Sequence, residues 1–145
     1  MRSAWMGLAL AATLIGSHPL TAQDKGYVVI VNSFNPFTSI AADDLSKIYL
    51  KKLATWSNGQ TAMPVDQAAT SPVRKRFAAT VLNKDLGSLN SYWQQMIFSG
   101  KAVPPPALDT DAAVVEFVRH NPYAVGYVSS TATLGSDVRV IAVTR

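Results

Sequence analysis

Short apolar runs rich in β-branched residues recur along the chain, and segments with helical spacing separate them. Residues 27–31, 124–128 and 138–143 are runs of this kind, which predicts three buried strands. Residues 63–66 predict a further short strand, and Pro64 marks it as irregular or near a sheet edge. Strands that alternate with helices predict an α/β fold whose sheet has roughly four strands and is flanked by helices.

The helical patterns between these runs differ in strength. Residues 89–97 carry the strongest amphipathic pattern, because their apolar side chains recur every three or four positions. An earlier helix begins near Asp43 and Asp44, whose charges favour the positive N-terminal end of a helix. A later helix is capped by Asp109 or by Thr110. Each of these segments carries an apolar stripe of the kind that packs on a core.

The N-terminal segment has the pattern of a secretory signal peptide. Arg2 is the only charged residue before Asp24, a short apolar run follows it, and Ala22 supplies a small residue for cleavage. The apolar run is shorter than the roughly 20 residues that a membrane-spanning helix needs, which disfavours a membrane anchor. We therefore expect residues 1–22 to be a signal peptide, residues 23–145 to be one domain, and the mature protein to be periplasmic.

The composition argues against several classes of function. The net charge of +4 comes from scattered basic residues with no aromatic-interleaved stripe, so nucleic acid is not an expected partner. The chain has no cysteine, which excludes disulfides, thiolate metal sites and a cysteine nucleophile. Its two histidines, His18 and His120, stand apart, and no Walker, dinucleotide or G-x-S-x-G pattern is present. We expect no catalytic residues, no metal site and no cofactor.

Ser71 followed by Pro72 is a signal for the start of a helix. The serine hydroxyl can accept a backbone N–H, and proline at the first helical position lacks only an N–H that would have no partner there. A cap and an anion site use the same donors, so Ser71 is either a cap alone or part of a ligand site. The basic residues 74–76 are likewise either a solvated face or a ligand clamp.

Several short motifs occur in an order that resembles the phosphate-binding subunits of bacterial ABC uptake systems, which have the type II periplasmic binding protein fold. The motifs are Ile48-Tyr-Leu, Trp56 with Asn58-Gly59, Pro64-Val-Asp66 before the Ser71 helix with Phe77, and Asn121-Pro-Tyr-Ala-Val-Gly-Tyr-Val128. The resemblance covers residues 27–143, and it extends to one of the two lobes of that fold. It implies a single lobe built around a helix whose first residues grip phosphate.

The resemblance also implies a set of ligand-binding positions. In the family, a Ser-Gly-Thr-like segment begins the helix and an arginine lies just upstream. Here Ser71 matches the serine, Pro72 and Val73 replace the Gly-Thr pair, and Gln67 stands at the arginine position. These departures remove an N–H, a hydroxyl and a charge, so a lower affinity is expected. The candidate ligand-binding residues are Gln67, Thr70, Ser71, Val73 and Arg74.

Two functions follow as hypotheses. The first is a periplasmic solute-binding module for phosphate or a similar oxyanion, linked to ABC-type uptake or sensing through a membrane transporter; Ser71 and Arg74 favour it. The second is a ligand-free envelope interaction domain that kept the fold, which Gln67 and the Pro72-Val73 pair favour. Because a single lobe leaves one wall of an anion site open, we also expect a homodimer across the Ser71 face or a partner protein docked there.

Overall fold

The computed structural model describes residues 25–145 of the chain. The predicted signal peptide, residues 1–22, lies outside the described residues. Within residues 25–145, no helix combines the length and the apolar character that a membrane crossing requires.

A mixed four-stranded sheet forms the centre of the fold. In chain order the strands are β1 (Tyr27–Asn32), β2 (Ser39–Ala41), β3 (Met63–Pro64), β4 (Asp66–Gln67), β5 (Ala107–Leu108), β6 (Ala124–Ser129), β7 (Val138–Val140) and β8 (Ala142–Thr144). The main sheet has the order β3-β6-β1-β7, with β1 antiparallel to β6 and β7, and β3 parallel to β6. Strand β2 pairs with β8, and β4 pairs with β5, both in parallel. The predicted α/β fold with a sheet of roughly four strands is confirmed.

Helices cover both faces of the main sheet. They are α1 (Ala42–Tyr49), α2 (Pro72–Phe77), which continues into a π-helical turn (Ala78–Leu82), α3 (Leu86–Phe98) and α4 (Asp111–His120). Alternate residues of β1 serve the two faces, as expected for a strand: Val29 and Val31 join the core beneath α1, α2 and α3, while Ile30 joins the core beneath α4. The protein therefore has two apolar layers with the sheet between them.

Gly126 in β6 allows α4 to pack closely on the sheet. A Cβ at this position would lie 2.7 Å from Cγ1 of Val114, 3.0 Å from Cγ1 of Val65 and 3.2 Å from Cγ2 of Val118. These three valines are fully buried. The absence of a side chain at Gly126 thus sets the distance between β6 and the helix that covers it.

Two of the predicted strands are divided in the structure. Residues 63–66 are divided between β3 and β4, because the backbone changes its pairing partner after Val65. The Val65 N–H donates to Val125 O (2.9 Å) in β6, whereas the Asp66 N–H donates to Pro106 O (2.8 Å), next to β5. Residues 138–143 are likewise split at Ile141, whose N–H donates to Val29 O. The strands β2 and β5 were not predicted, since they have only three and two residues.

The prediction of a helix over residues 89–97 is confirmed, but the prediction that it is the strongest amphipathic helix is wrong. Apolar and polar residues are separated more sharply in α1, and α3 buries only Leu89 and Trp93. Ile97 is 52% exposed and Phe98 is 91% exposed. The reason is that α3 contacts the core through Leu89, Tyr92, Trp93 and Met96, while Ile97 lines an open cavity instead.

Candidate functional site

Helix α2 begins where the Ser71-Pro72 pair predicts. Ser71 has extended backbone angles (φ −70°, ψ 125°), and its Oγ accepts the Arg74 N–H at 3.3 Å. The Ser71 N–H donates to Ala68 O (2.9 Å), which closes the turn that precedes the helix. The capping role predicted for Ser71 is confirmed, and α2 starts at the C-terminal end of strand β4.

Gln67 is a buried cross-link between three elements. Its side-chain Nε2 donates to Asp111 Oδ1 in α4 (2.8 Å) and to Tyr127 O in β6 (3.0 Å), and its Oε1 accepts the Ser71 hydroxyl (2.6 Å). The residue is 3% exposed. Because its amide N–H groups and carbonyl oxygen all have protein partners, Gln67 positions Ser71 and offers no free donor of its own.

Asp66 lies beneath the start of α2 as a buried carboxylate. Its Oδ1 accepts hydrogen bonds from the Tyr127 hydroxyl and from the Gln67 N–H (2.8 Å), and its Oδ2 lies 3.4 Å from Arg74 Nη2. Burial raises the pKa of Asp66, while the Tyr127 hydrogen bond and the nearby Arg74 charge oppose that rise. Burial together with the Asp66 charge raises the pKa of Tyr127, so this phenol stays protonated as a donor.

Arg74 is held in place rather than solvated. Its Nη1 donates to Gln67 O (3.0 Å), its Nη2 faces Asp66, and its side chain is only 16% exposed. Its Nε is buried and has no hydrogen-bond partner among the described residues. The adjacent Lys75 and Arg76 are exposed, so the basic triplet divides into one fixed guanidinium and two surface charges.

The other two predicted site residues take different positions. Thr70 is exposed beside Ser71, whereas Val73 is 8% exposed and packs into the core below α2. The structure thus brings Gln67, Ser71 and Arg74 into one hydrogen-bonded cluster with Thr70 at its rim. The Val73 side chain does not join that cluster, and any contribution to a ligand is limited to its backbone.

The cluster contains two carboxylates that sequence reasoning did not assign to it. Asp66 pairs with Arg74, and Asp111 accepts hydrogen bonds from Gln67 and from the Ser129 N–H (3.2 Å). The signal for Asp66 was present in the sequence, since an acidic residue directly after an apolar strand segment needs a partner when buried. Asp111 gave no such signal, because an acidic residue in a first helical turn is expected in any case.

A cavity of about 280 Å³ opens beside Arg74. Ala69 and Arg74 contribute one wall, Trp93 and Ile97 of α3 contribute another, and Pro104 closes one side. Among the described residues no group of three His, Asp or Glu side chains is arranged to hold a metal ion. What the site offers chemically is a guanidinium, hydroxyls at the start of a helix, and an adjoining apolar space.

These features define a single α/β lobe with a polar cluster where a helix begins, and its fold is similar to that of periplasmic binding proteins. It is similar in structure to an ABC-type phosphate transport receptor from Vibrio cholerae, with a TM-score of 0.62 and 21% identity over 80% of this chain and 45% of the receptor. A substrate-binding protein assigned to phosphate ABC transport in Clostridium perfringens, solved with phosphate bound, matches with a TM-score of 0.61 and 19% identity over 82% of this chain and 44% of that one. PstS from Borrelia burgdorferi matches with a TM-score of 0.61 and 14% identity over 82% and 47%.

The likeness concerns the fold, and the chain spans less than half the length of each of these proteins. No protein-family model matches the sequence, and no curated protein matches it.

Proposed function

We propose that the protein binds phosphate or a similar oxyanion at the start of α2, as a non-enzymatic solute-binding module linked to ABC-type uptake or sensing. The observation that carries the proposal is Arg74, whose guanidinium is fixed by Gln67 O and Asp66 and whose buried Nε has no partner in the described chain. Two structural neighbours that are described as phosphate transport proteins, from Vibrio cholerae and Clostridium perfringens, support the choice of ligand. Arg74 matters most because charge-assisted hydrogen bonds are about twice as strong as neutral ones.

Binding at this site would involve Thr70, Ser71 and Arg74 more than Gln67 and Val73. The exposed Thr70 hydroxyl needs no rearrangement, whereas the Ser71 hydroxyl would have to exchange its bond to Gln67 for one to the ligand. The Asp66 carboxylate partly neutralises Arg74 and would compete with an incoming anion. We therefore expect a modest affinity that increases when Asp66 is protonated.

Calorimetry with inorganic phosphate tests this proposal. Arg74→Ala should weaken binding by about 1 to 3 kcal/mol, the usual loss for one charge-assisted bond. Lys75→Ala is the matched control, because Lys75 is an exposed neighbour of equal charge and should leave binding unchanged. If both variants lost the same amount of phosphate affinity, the effect would be general electrostatic attraction, and the proposed binding site at Arg74 would be contradicted.

A ligand-free interaction domain is the second candidate function. The closed network of Gln67 favours it, since the donor that the resemblance places at the ligand is used instead to tie β4, α4 and β6 together. Absence of heat with millimolar phosphate and sulfate at two temperatures would select this candidate over the first.

Export to the periplasm through residues 1–22 is part of the proposal. The sequence pattern of a lone early Arg2, an apolar run and Ala22 supports it. Intact mass of protein released from the periplasm should correspond to a chain that begins at Gln23, within a few residues. Recovery of the uncleaved chain in the membrane fraction would contradict cleavage.

A further inference from the structure

The cavity beside Arg74 has more room and more apolar surface than an inorganic anion can use. Its volume of about 280 Å³ is close to the lower end of small-molecule pockets, which begin at about 300 Å³. Trp93, Ile97, Leu86 and Pro104 supply its apolar walls. Ile97 is 52% exposed, so a ligand in the cavity would cover apolar surface that now faces water.

Two amide side chains of α3 also line this cavity. Asn90 and Gln94 are four residues apart and therefore lie on the same face of the helix. Both are exposed, and neither side chain has a hydrogen-bond partner within residues 25–145. They can donate to a ligand by exchanging their bonds to water, whereas Gln67 would have to break bonds within the protein.

Arg74 connects the cavity to the proposed anion site. It lines the cavity while its two terminal nitrogens face Gln67 O and Asp66. The remaining N–H groups of Nη1 and Nη2 are left as donors for a ligand. Ala69, also in the cavity wall, directly precedes Thr70 and Ser71.

From this arrangement we infer that the ligand is an oxyanion that carries an apolar group, such as a phosphate monoester or an organic phosphonate. The inference rests on the proposed anion site and names the substrate class for it. The charged head would bind at Arg74 with Thr70 and Ser71, Asn90 and Gln94 would donate to its outer oxygens, and the apolar group would lie against Trp93 and Ile97.

Calorimetry with phenyl phosphate and with inorganic phosphate tests the inference. Phenyl phosphate should bind about tenfold more tightly, because burying part of one ring removes apolar surface from water. Ile97→Ser should abolish this preference while leaving the affinity for inorganic phosphate unchanged. Gln94→Ala should weaken phenyl phosphate binding severalfold, and Gln95→Ala, one position along the same helix and outside the cavity, should not.

The outcomes separate the two proposals. Equal binding of both probes, unaffected by Ile97→Ser and Gln94→Ala, would overturn the inference and leave the phosphate site in place. Binding of neither probe would overturn the proposed function and the inference together. Phenyl phosphate binding that survives Arg74→Ala but is lost in Ile97→Ser would show an apolar pocket without an anion site, which also overturns the inference.

Discussion

A single glutamine decides how much of the anion site is available to a ligand. Gln67 stands at the position where the family resemblance implies an arginine, and its amide is fully engaged with Asp111, Tyr127 and Ser71. Two carboxylates lie close to this side chain: Asp111 accepts one of its N–H groups, and Asp66 is paired with Arg74. The hydrogen bonds of the cluster therefore stabilise the fold, and only the groups of the cluster that remain exposed are available to a ligand.

The protonation of Asp66 should be visible as a pH dependence of stability. Burial raises its folded-state pKa above the unfolded value of 3.8, so the folded protein binds a proton at a pH where the unfolded chain does not. The stability that this group contributes should therefore increase as the pH falls through the raised pKa and should level off below 3.8. Denaturant unfolding of the protein and of Asp66→Asn across this range measures the difference.

The contrary result for Asp66 is equally specific. If the unmodified protein instead lost stability relative to Asp66→Asn as the pH falls, the Arg74 ion pair would outweigh burial and the pKa of Asp66 would be lowered. Carboxyl-resolved NMR titration of the unmodified protein gives the same answer without the variant. A midpoint below 3.8 would contradict the raised pKa.

Local sequence rules identified Ser71 but not its partners. A serine before a proline specifies a helix start through bonds that span three residues, and such bonds can be read from the chain directly. The Asp66–Arg74 pair is also close in sequence, yet it depends on the turn between β4 and α2, in which the Ser71 N–H donates to Ala68 O. The hydrogen bond from Tyr127 to Asp66 spans 61 positions and depends on the complete sheet.

Among the secondary-structure elements, strand β6 connects the main sheet to both apolar layers. It pairs with β1 and β3, and both apolar layers draw residues from it. Its Tyr127 ring stacks on Phe77 of α2 with centroids 3.9 Å apart, while its Gly126 faces α4. The long apolar strands were therefore predictable, since burial on both faces leaves a continuous apolar run.

Gly126→Ala should destabilise the protein by about 1 to 3 kcal/mol, as overpacking of a filled core does. The new methyl group would meet Val114, Val65 and Val118 at 2.7 to 3.2 Å. Gly87→Ala is the matched control, because a Cβ there meets only Asp85 Oδ1 at 3.4 Å and alanine suits the helix. Thermal unfolding of both variants gives the comparison.

The packing explanation has its own check. Val114→Ala in the Gly126→Ala background should recover part of the lost stability, because it removes the nearest contact. If stability did not recover, the loss would be due to the backbone of β6 instead.

The pairing of β4 with β5 could not be predicted from the sequence, in contrast to the long apolar strands. Each of the two strands has only two residues, which is too short for a recognisable strand pattern.

In the molecule as a whole, the surface around Ser71 is exposed; we call it the Ser71 face, and it comprises Thr70, Ser71 and the cavity beside Arg74. Thr70, Ile97 and Phe98 are exposed, and the cavity beside Arg74 is open. An exposed anion site competes with water and salt, so a second wall would strengthen binding. The proposed homodimer across this face supplies that wall from the same chain.

Light scattering at several protein concentrations, with and without phosphate, measures this assembly. We expect the dimer fraction to increase with phosphate and to fall in Thr70→Glu, which adds a negative charge to the Ser71 face. Thr61→Glu, at an exposed position outside that cluster, should leave the assembly unchanged. A strict monomer that binds phosphate at micromolar strength would instead mean that one lobe suffices.

The order of strands in the main sheet bears on when the protein can fold during synthesis. Strand β1 lies near the start of the described chain, yet both of its partners, β6 and β7, lie after residue 123. Until those last residues leave the ribosome, β1 has no neighbour in the sheet, and β3 lacks its partner β6 as well. The nascent chain consequently has no central sheet until residues beyond 123 have been synthesised, and pairings between segments so far apart in sequence form slowly.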